Sequence, residues 1–241
     1  MPEIQLHFAE EKQMKKITFA LGAIAFASLA SAQSIFSGNV IKNGSFEAGV
    51  TAVNGGSVVV PDWNGLTTVG EYGPATWWEV PFGVWSDGNK FVGGGNNDLN
   101  TINQSFVIDA ADFATIDAGN AAFNVSGWFG GWSSQEDFAF LTVDFLNADN
   151  SVLSSSVIGN VTAAERNNVT SMQFREANGI IANGTRSINF TVTFDRIGGG
   201  TYNDGTAENL VFSAEAVPEP MTMIALAAGA SLIARRRRNK K

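Results

Sequence analysis

Six tryptophans, Trp63, Trp77, Trp78, Trp85, Trp128 and Trp132, stand in a stretch that holds no cysteine and no histidine. A flat indole face packs against the axial C–H face of a sugar ring, while Asn, Gln, Asp and Arg pick out its hydroxyls. Trp77 and Trp78 are adjacent, so on a strand they point to opposite faces and only one can enter a core. Trp132 lies in "GGWSSQED", a Gly-led polar stretch that reads as a loop with an exposed ring. Trp78, Trp132, Gln135 and Asp137 are therefore the candidates for glycan contact. For any one tryptophan the alternative is core or edge packing, since most are highly buried.

Enzyme chemistry finds less support. Retaining glycoside hydrolysis needs two carboxyls about 5–5.5 Å apart; Glu136 and Asp137 are neighbours, but on a strand they face opposite ways. No nucleophile elbow, phosphate loop or metal-ligand cluster is in view. The single histidine, His7, lies upstream of an N-terminal apolar run. Residues 33–217 thus lack Ser-His-Asp triads, Cys nucleophiles, disulfides and His- or Cys-ligated zinc. The expectation is a protein that is not an enzyme. "GGGNNDLN" at 93–100 faintly resembles a calcium-binding nonapeptide repeat, once and with Asn96 where the repeat wants Gly; a lone copy has no neighbour to stack on, so it reads as a tight loop.

Residues 33–217 carry 19 Asp and Glu against six Lys and Arg, a formal balance of −13. A body this acidic repels nucleic acid and anionic membrane surfaces, because phosphate binding needs clustered Lys and Arg. About 185 residues suffice for one substantial core.

The elements that must position these side chains are strands. Ile188-Asn-Phe190-Thr-Val192-Thr-Phe194-Asp195 alternates strictly, between Gly184-Thr185 and Gly198-Gly199-Gly200, and reads as a half-buried strand. Further strands are expected at 39–46, 57–60, 76–80, 90–92, 105–108, 123–129, 138–146, 152–158, 170–175 and 209–214. The run 138–145 is apolar on much of both faces and should be central. No convincing amphipathic helix falls between 40 and 215, apart from short turns near 110–113. Short strands separated by Gly, Asn and Ser turns predict an all-β fold, a single antiparallel β-sandwich of jelly-roll type over 33–217.

"NGSFEAG", "DGNKFVGGG", "INQSF", "SGWFGGWSSQEDFAFLTVDFLN", "GTRSINFTVTF" and "YNDGTAENLVF" follow one another in an order similar to galactose-binding-like, carbohydrate-binding-module jelly rolls. The resemblance implies a structural Ca²⁺ where a Glu of the first strand meets an acidic residue shortly before the last. Glu47 and Glu208 fall at those places, with Asp204 as a helper; Ca²⁺ takes 6–8 oxygen ligands. The late motif reads Glu208-Asn209, where the modules more often carry Asp-Asp or Asp-Asn.

Both ends read as processing segments. Lys15 and Lys16 precede the apolar run 17–29 and the small-x-small site Ala30-Ser31-Ala32. These are the parts of a secretory signal peptide over 14–32, cleaved between Ala32 and Gln33. Residues 1–13 put three Glu ahead of the lysines. Glu10-Glu11-Lys12 is necessarily encoded by purines, as a ribosome-binding site would be, so residues 1–13 are a mis-called start and translation is expected to begin at Met14.

At the other end, Pro218-Glu219-Pro220 precedes an uncharged stretch, 221–234, and a basic end, 235–241, that opens with Arg235, Arg236, Arg237 and Arg238. Fourteen helical residues span about 21 Å, short of a hydrocarbon core of roughly 30 Å. That makes a marginal transmembrane helix, with the arginines on the cytoplasmic side. The order resembles a PEP-CTERM sorting tail over 218–241. It implies an exosortase-type membrane protease as a transient partner, export by the secretion machinery, and exopolysaccharide surroundings. The protein should be anchored briefly in the inner membrane and then reach the cell surface or extracellular matrix.

The sequence reads as an exported, non-catalytic matrix or surface protein that contacts glycans. The alternatives are a structural or protein-binding surface component and, more weakly, a glycoside-active enzyme. Replacing Pro218-Glu219-Pro220 with alanines should leave unprocessed protein in the inner membrane on fractionation; unchanged release would refute the sorting role.

Overall fold

The computed structural model describes residues 32–73 and 88–218. Expectations for the leader before Ala32, for a strand at 76–80 with Trp77 and Trp78, for Trp85 and for the tail beyond Pro218 lie outside the described residues. Ten strands form among those described. They are β1 (Val58–Val59), β2 (Leu66–Glu71), β3 (Lys90–Gly95), β4 (Leu99–Val107) and β5 (Ala121–Gly131). The chain continues through β6 (Phe138–Leu146), β7 (Val152–Gly159), β8 (Ser171–Ile180), β9 (Ser187–Asp195) and β10 (Asn203–Ala216). Between β4 and β5 a 3-10 turn (Ala110–Asp112), capped by Asp109, leads into α1 (Phe113–Asp117). No described helix is long and apolar enough to cross a membrane.

The strands build a β-sandwich of two antiparallel sheets, one in the order β1-β2-β3-β10-β5-β8 and the other β4-β9-β6-β7. Alternation sets the faces. Ile188, Phe190, Val192 and Phe194 of β9 are fully buried, and they meet Phe129, Val125, Leu210 and Phe212 of the larger sheet in one core. β6 lies between β9 and β7, as its two-sided apolar pattern requires. Because side chains alternate, the register Glu208–Trp128–Phe174 puts those three on the other face of the six-stranded sheet. Tyr72, Phe91 and Met172 form a second apolar cluster, with Trp128 and Trp132 packed on it.

Two expectations change. Residues 39–46 form turns, not a strand. The Asn39 side chain accepts from its neighbour Ile41 N–H (3.0 Å) and from Phe212 N–H (3.0 Å); such local side-chain bonds compete with a ladder. Asn43 and Phe46 have φ of 46° and 62°, which no extended strand allows. The segment still runs beside β10, through Val40 N–H to Phe212 O and Leu210 N–H to Gly44 O. Conversely, β2 was not expected, because Gly70 and two threonines hide its pattern. The Phe91 ring lies over Gly70, where a Cβ would stand 2.3 Å from Cζ.

Candidate ligand-binding cavity

The β5–β6 connection, the start of β10 and the loop before β1 enclose a cavity of about 390 Å³. Trp132, Gln135, Tyr202 and Asp204 line it, facing Asn54 and Gly55. Gly55 has φ of 68°, and a Cβ there would meet Tyr202 Cε1 at 2.8 Å. Only glycine combines that backbone with so close a ring.

One buried cation holds the β5–β6 connection in shape. Arg166 is 1 % exposed. Its Nη1 donates to the carbonyls of Gly131 (2.8 Å), Ser133 (2.9 Å) and Val169 (2.7 Å), and its Nη2 donates to Gln135 O (2.7 Å). Gln135 N–H closes the turn on Trp132 O (3.0 Å), and Ser133, at φ 45°, donates its N–H to Thr170 Oγ1 (3.1 Å). The indole of Trp132 is thereby set between the Tyr72 cluster and the cavity.

Asp137 does not join the ligand side. It is 2 % exposed, and its two oxygens accept the N–H groups of Ile197 (2.8 Å) and Asp204 (2.9 Å). It ties down the β9–β10 connection instead of meeting a sugar hydroxyl, which corrects the expectation from sequence. Glu136 accepts from Ala163 N–H (3.2 Å), so the neighbouring carboxyls are both engaged with backbone. Trp132 and Gln135 line the same cavity; Trp78 lies outside the described residues. Tyr202, Asn54 and Arg166 were missed. The one available hint was that Arg166 is among only six basic residues of the body.

Asp204 is 7 % exposed. Burial first, and then the charge of Asp137, push its carboxyl up to about 6, while Arg166 pulls it back. A register irregularity between Asn203 and Thr206 lies between it and Glu208. Asp204 lines the cavity, four residues ahead of Glu208 on the same strand. Among the described residues no three acidic side chains gather where they could hold a metal ion.

Glu47 and Glu208 do approach each other, and Glu47's charge acts on Glu208. Glu47 Oε1 accepts the N–H groups of Asn89 (2.6 Å) and Lys90 (2.7 Å). The Lys90 ammonium donates to the carbonyls of Gly49 (2.7 Å) and Glu47 (3.1 Å). Glu208 Oε2 accepts from the Tyr72 hydroxyl. Lys90 thus brings positive charge to this end of the sheet, while the buried Oδ1 of Asn89 has no hydrogen-bond partner among the described residues.

Glu208 is fully buried, and burial pushes its carboxyl up to about 7, with Tyr72 pulling down and Glu47 pushing further up. Burial and the Glu208 charge likewise raise the Tyr72 phenol. In the folded protein Glu208 keeps its proton up to about 7, whereas its ordinary value is 4.5. The native state therefore binds more protons in that window, so this stabilisation is complete below about 4.5 and is lost as pH rises through about 7. Asp204 acts with the same sign between 3.8 and about 6.

Melting measured from pH 4.5 to 8 should show that decline, and Glu208→Gln should flatten it by roughly 2–3 kcal/mol; an unchanged slope would contradict the assignment. Arg166→Ala should cost on the order of 3–5 kcal/mol in urea unfolding, because four carbonyls, that of Gly131 buried and the others partly so, lose their donor. Arg166→Lys should not restore the loss, since an ammonium lacks the guanidinium's planar fork. Wild-type stability in either variant would refute the anchoring role.

No protein-family model and no curated protein matches the chain. Among solved structures it is similar to a cyclase from Fischerella sp. TAU, at 15 % identity over 75 % of this chain and 98 % of the other, with a TM-score of 0.48. It is similar also to the family 16 carbohydrate binding module-2, at 14 % identity over 63 % and 88 %, TM-score 0.40. A third is the enzymatically active domain of bacteriophage CBA120 tailspike protein 4, at 11 % identity over 73 % of this chain, TM-score 0.47. This chain spans 21 % of that tailspike domain. At these TM-scores the likenesses carry no argument about function.

Proposed function

We propose that this is an exported, non-catalytic protein of the cell surface or extracellular matrix, sorted by an exosortase-type protease and associated with exopolysaccharide. It contacts glycan through the cavity at Trp132. The observation that carries the glycan reading is the make-up of that cavity. A half-buried indole and an exposed phenol stand beside the amides of Asn54 and Gln135 and the carboxyl of Asp204. Few precisely placed polar groups among aromatic walls are what a small-ligand site needs. The order of β3 to β10 through the two sheets supports the jelly-roll reading, with β1 and β2 added at one edge. Export and sorting rest on the residue order at the two ends, 14–32 and 218–241.

A protein-binding role is the second reading. It is favoured by Val152, Leu153 and Val157, which stand 56, 41 and 58 % exposed on the edge strand β7. The paired-carboxylate chemistry of glycosidases gains nothing here, because both oxygens of Asp137 are held by backbone amides. Affinity gels of the exported protein, cast with a panel of polysaccharides that includes the producer's own exopolymer, separate the readings. Retardation on at least one polymer, lost in Trp132→Ala, is expected. No retardation on any polymer would leave the protein-binding role.

A further inference from the structure

The charge pattern of the cavity narrows the class of sugar it takes, on the reading that it binds a glycan. Asp204 lines the cavity and is more than nine-tenths buried. Among the described residues no group donates a hydrogen bond to its carboxylate; the bond it makes, to Asp137, comes from its own backbone N–H. Its oxygens open on the cavity, where a donor from outside the chain would take the place of water.

The neighbouring charges decide which donor. Asp137 adds negative charge behind Asp204. Arg166 is the cation nearby, but its guanidinium is 1 % exposed and spends its terminal nitrogens on carbonyls of the surrounding loops. The other polar groups of the lining, Asn54 and Gln135, are neutral, and none of the lining residues is basic. An anionic sugar would find no counter-charge there. A cationic one would find a carboxylate with little exposure to water, and charge-assisted hydrogen bonds are about twice as strong as neutral ones. We propose that the cavity binds an amino sugar through its free amine, with the ammonium donating to Asp204 and the C–H face of the ring resting on Trp132 or Tyr202. Asp204 is held at about 6, so it is largely ionised at pH 6.5 and above.

The test is titration calorimetry of the exported protein at pH 6.5 with three oligosaccharides of equal length: glucosamine hexamer, N-acetylglucosamine hexamer and galacturonate hexamer. The glucosamine hexamer should bind about tenfold or more tighter than its N-acetylated counterpart, with no galacturonate binding. Asp204→Asn should bring the first two affinities together. That variant keeps the side-chain shape and the backbone bond to Asp137, and its melting temperature reports whether it folds. A polycation could also be drawn to the acidic body as a whole, but one charge in a balance of −13 would barely alter that attraction. An amine preference that survives Asp204→Asn would overturn the inference. Equal binding of the acetylated and free-amine hexamers would overturn it too, while leaving the glycan reading intact. Binding of none of the three, with retardation on some other polysaccharide, removes the amine assignment alone; the absence of any glycan binding removes both.

Discussion

Two connections of this protein, β5–β6 and β7–β8, converge on one guanidinium. Arg166 reaches the carbonyls of Gly131, Ser133, Gln135 and Val169 from a position almost sealed from water. Carbonyls at a strand end have no ladder partner, and leaving them buried without donors is costly. A single planar fork can satisfy several at once, because its donors are fixed relative to one another. Everything proposed for the cavity depends on this: the turn that presents Trp132 and Gln135 has its inner side bound to Arg166, so the indole does not have to be held by the ligand.

A second anchor works with it. Asp137 receives the backbone amides of Ile197 and Asp204, which joins the end of β9 to the start of β10 beside the same loop. The two anchors have opposite charges and separate tasks, one gathering carbonyls and the other gathering amides. Between them Asp204 stands on the cavity wall, its carboxyl pushed up to about 6 by burial and by Asp137, with Arg166 pulling it back. Further along β10, Glu208 is biased the same way by deeper burial. Both groups lie on the larger sheet, while the four-stranded sheet contributes its alternating apolar side chains to the core.

The fold was legible wherever alternation was clean. β6 and β9 were read to within a residue, β9 because its apolar side chains alternate onto one core and β6 because Ala139, Leu141, Val143 and Phe145 do so beneath a second, half-buried apolar face. β2 was hidden, since Thr67, Thr68 and Gly70 pack well only once Phe91 lies across the strand. Residues 39–46 misled for the opposite reason: their apolar residues are buried, but Asn39 bends the backbone with its own side chain. In the site, Gly-led polarity located Trp132 and Gln135. It could not separate Asp137 from a solvent-facing carboxylate, because "SSQED" looks the same whether its acid meets water or amides 60 and 67 residues away. Arg166 and Tyr202 were illegible on similar grounds: their relevant contacts are made across the fold.

The central claim is that glycan is held at Trp132. The most direct measurement is the indole N–H spectrum of the ¹⁵N-labelled exported protein, titrated with fragments of the producer's exopolymer. Trp63 serves as the internal control, because it is 4 % exposed and packed in the core. The account predicts a saturable shift of the Trp132 resonance, identified by its absence in Trp132→Ala, with the Trp63 resonance unmoved. Saturable shifts confined to other indoles, or a spectrum unchanged at every concentration, would contradict it.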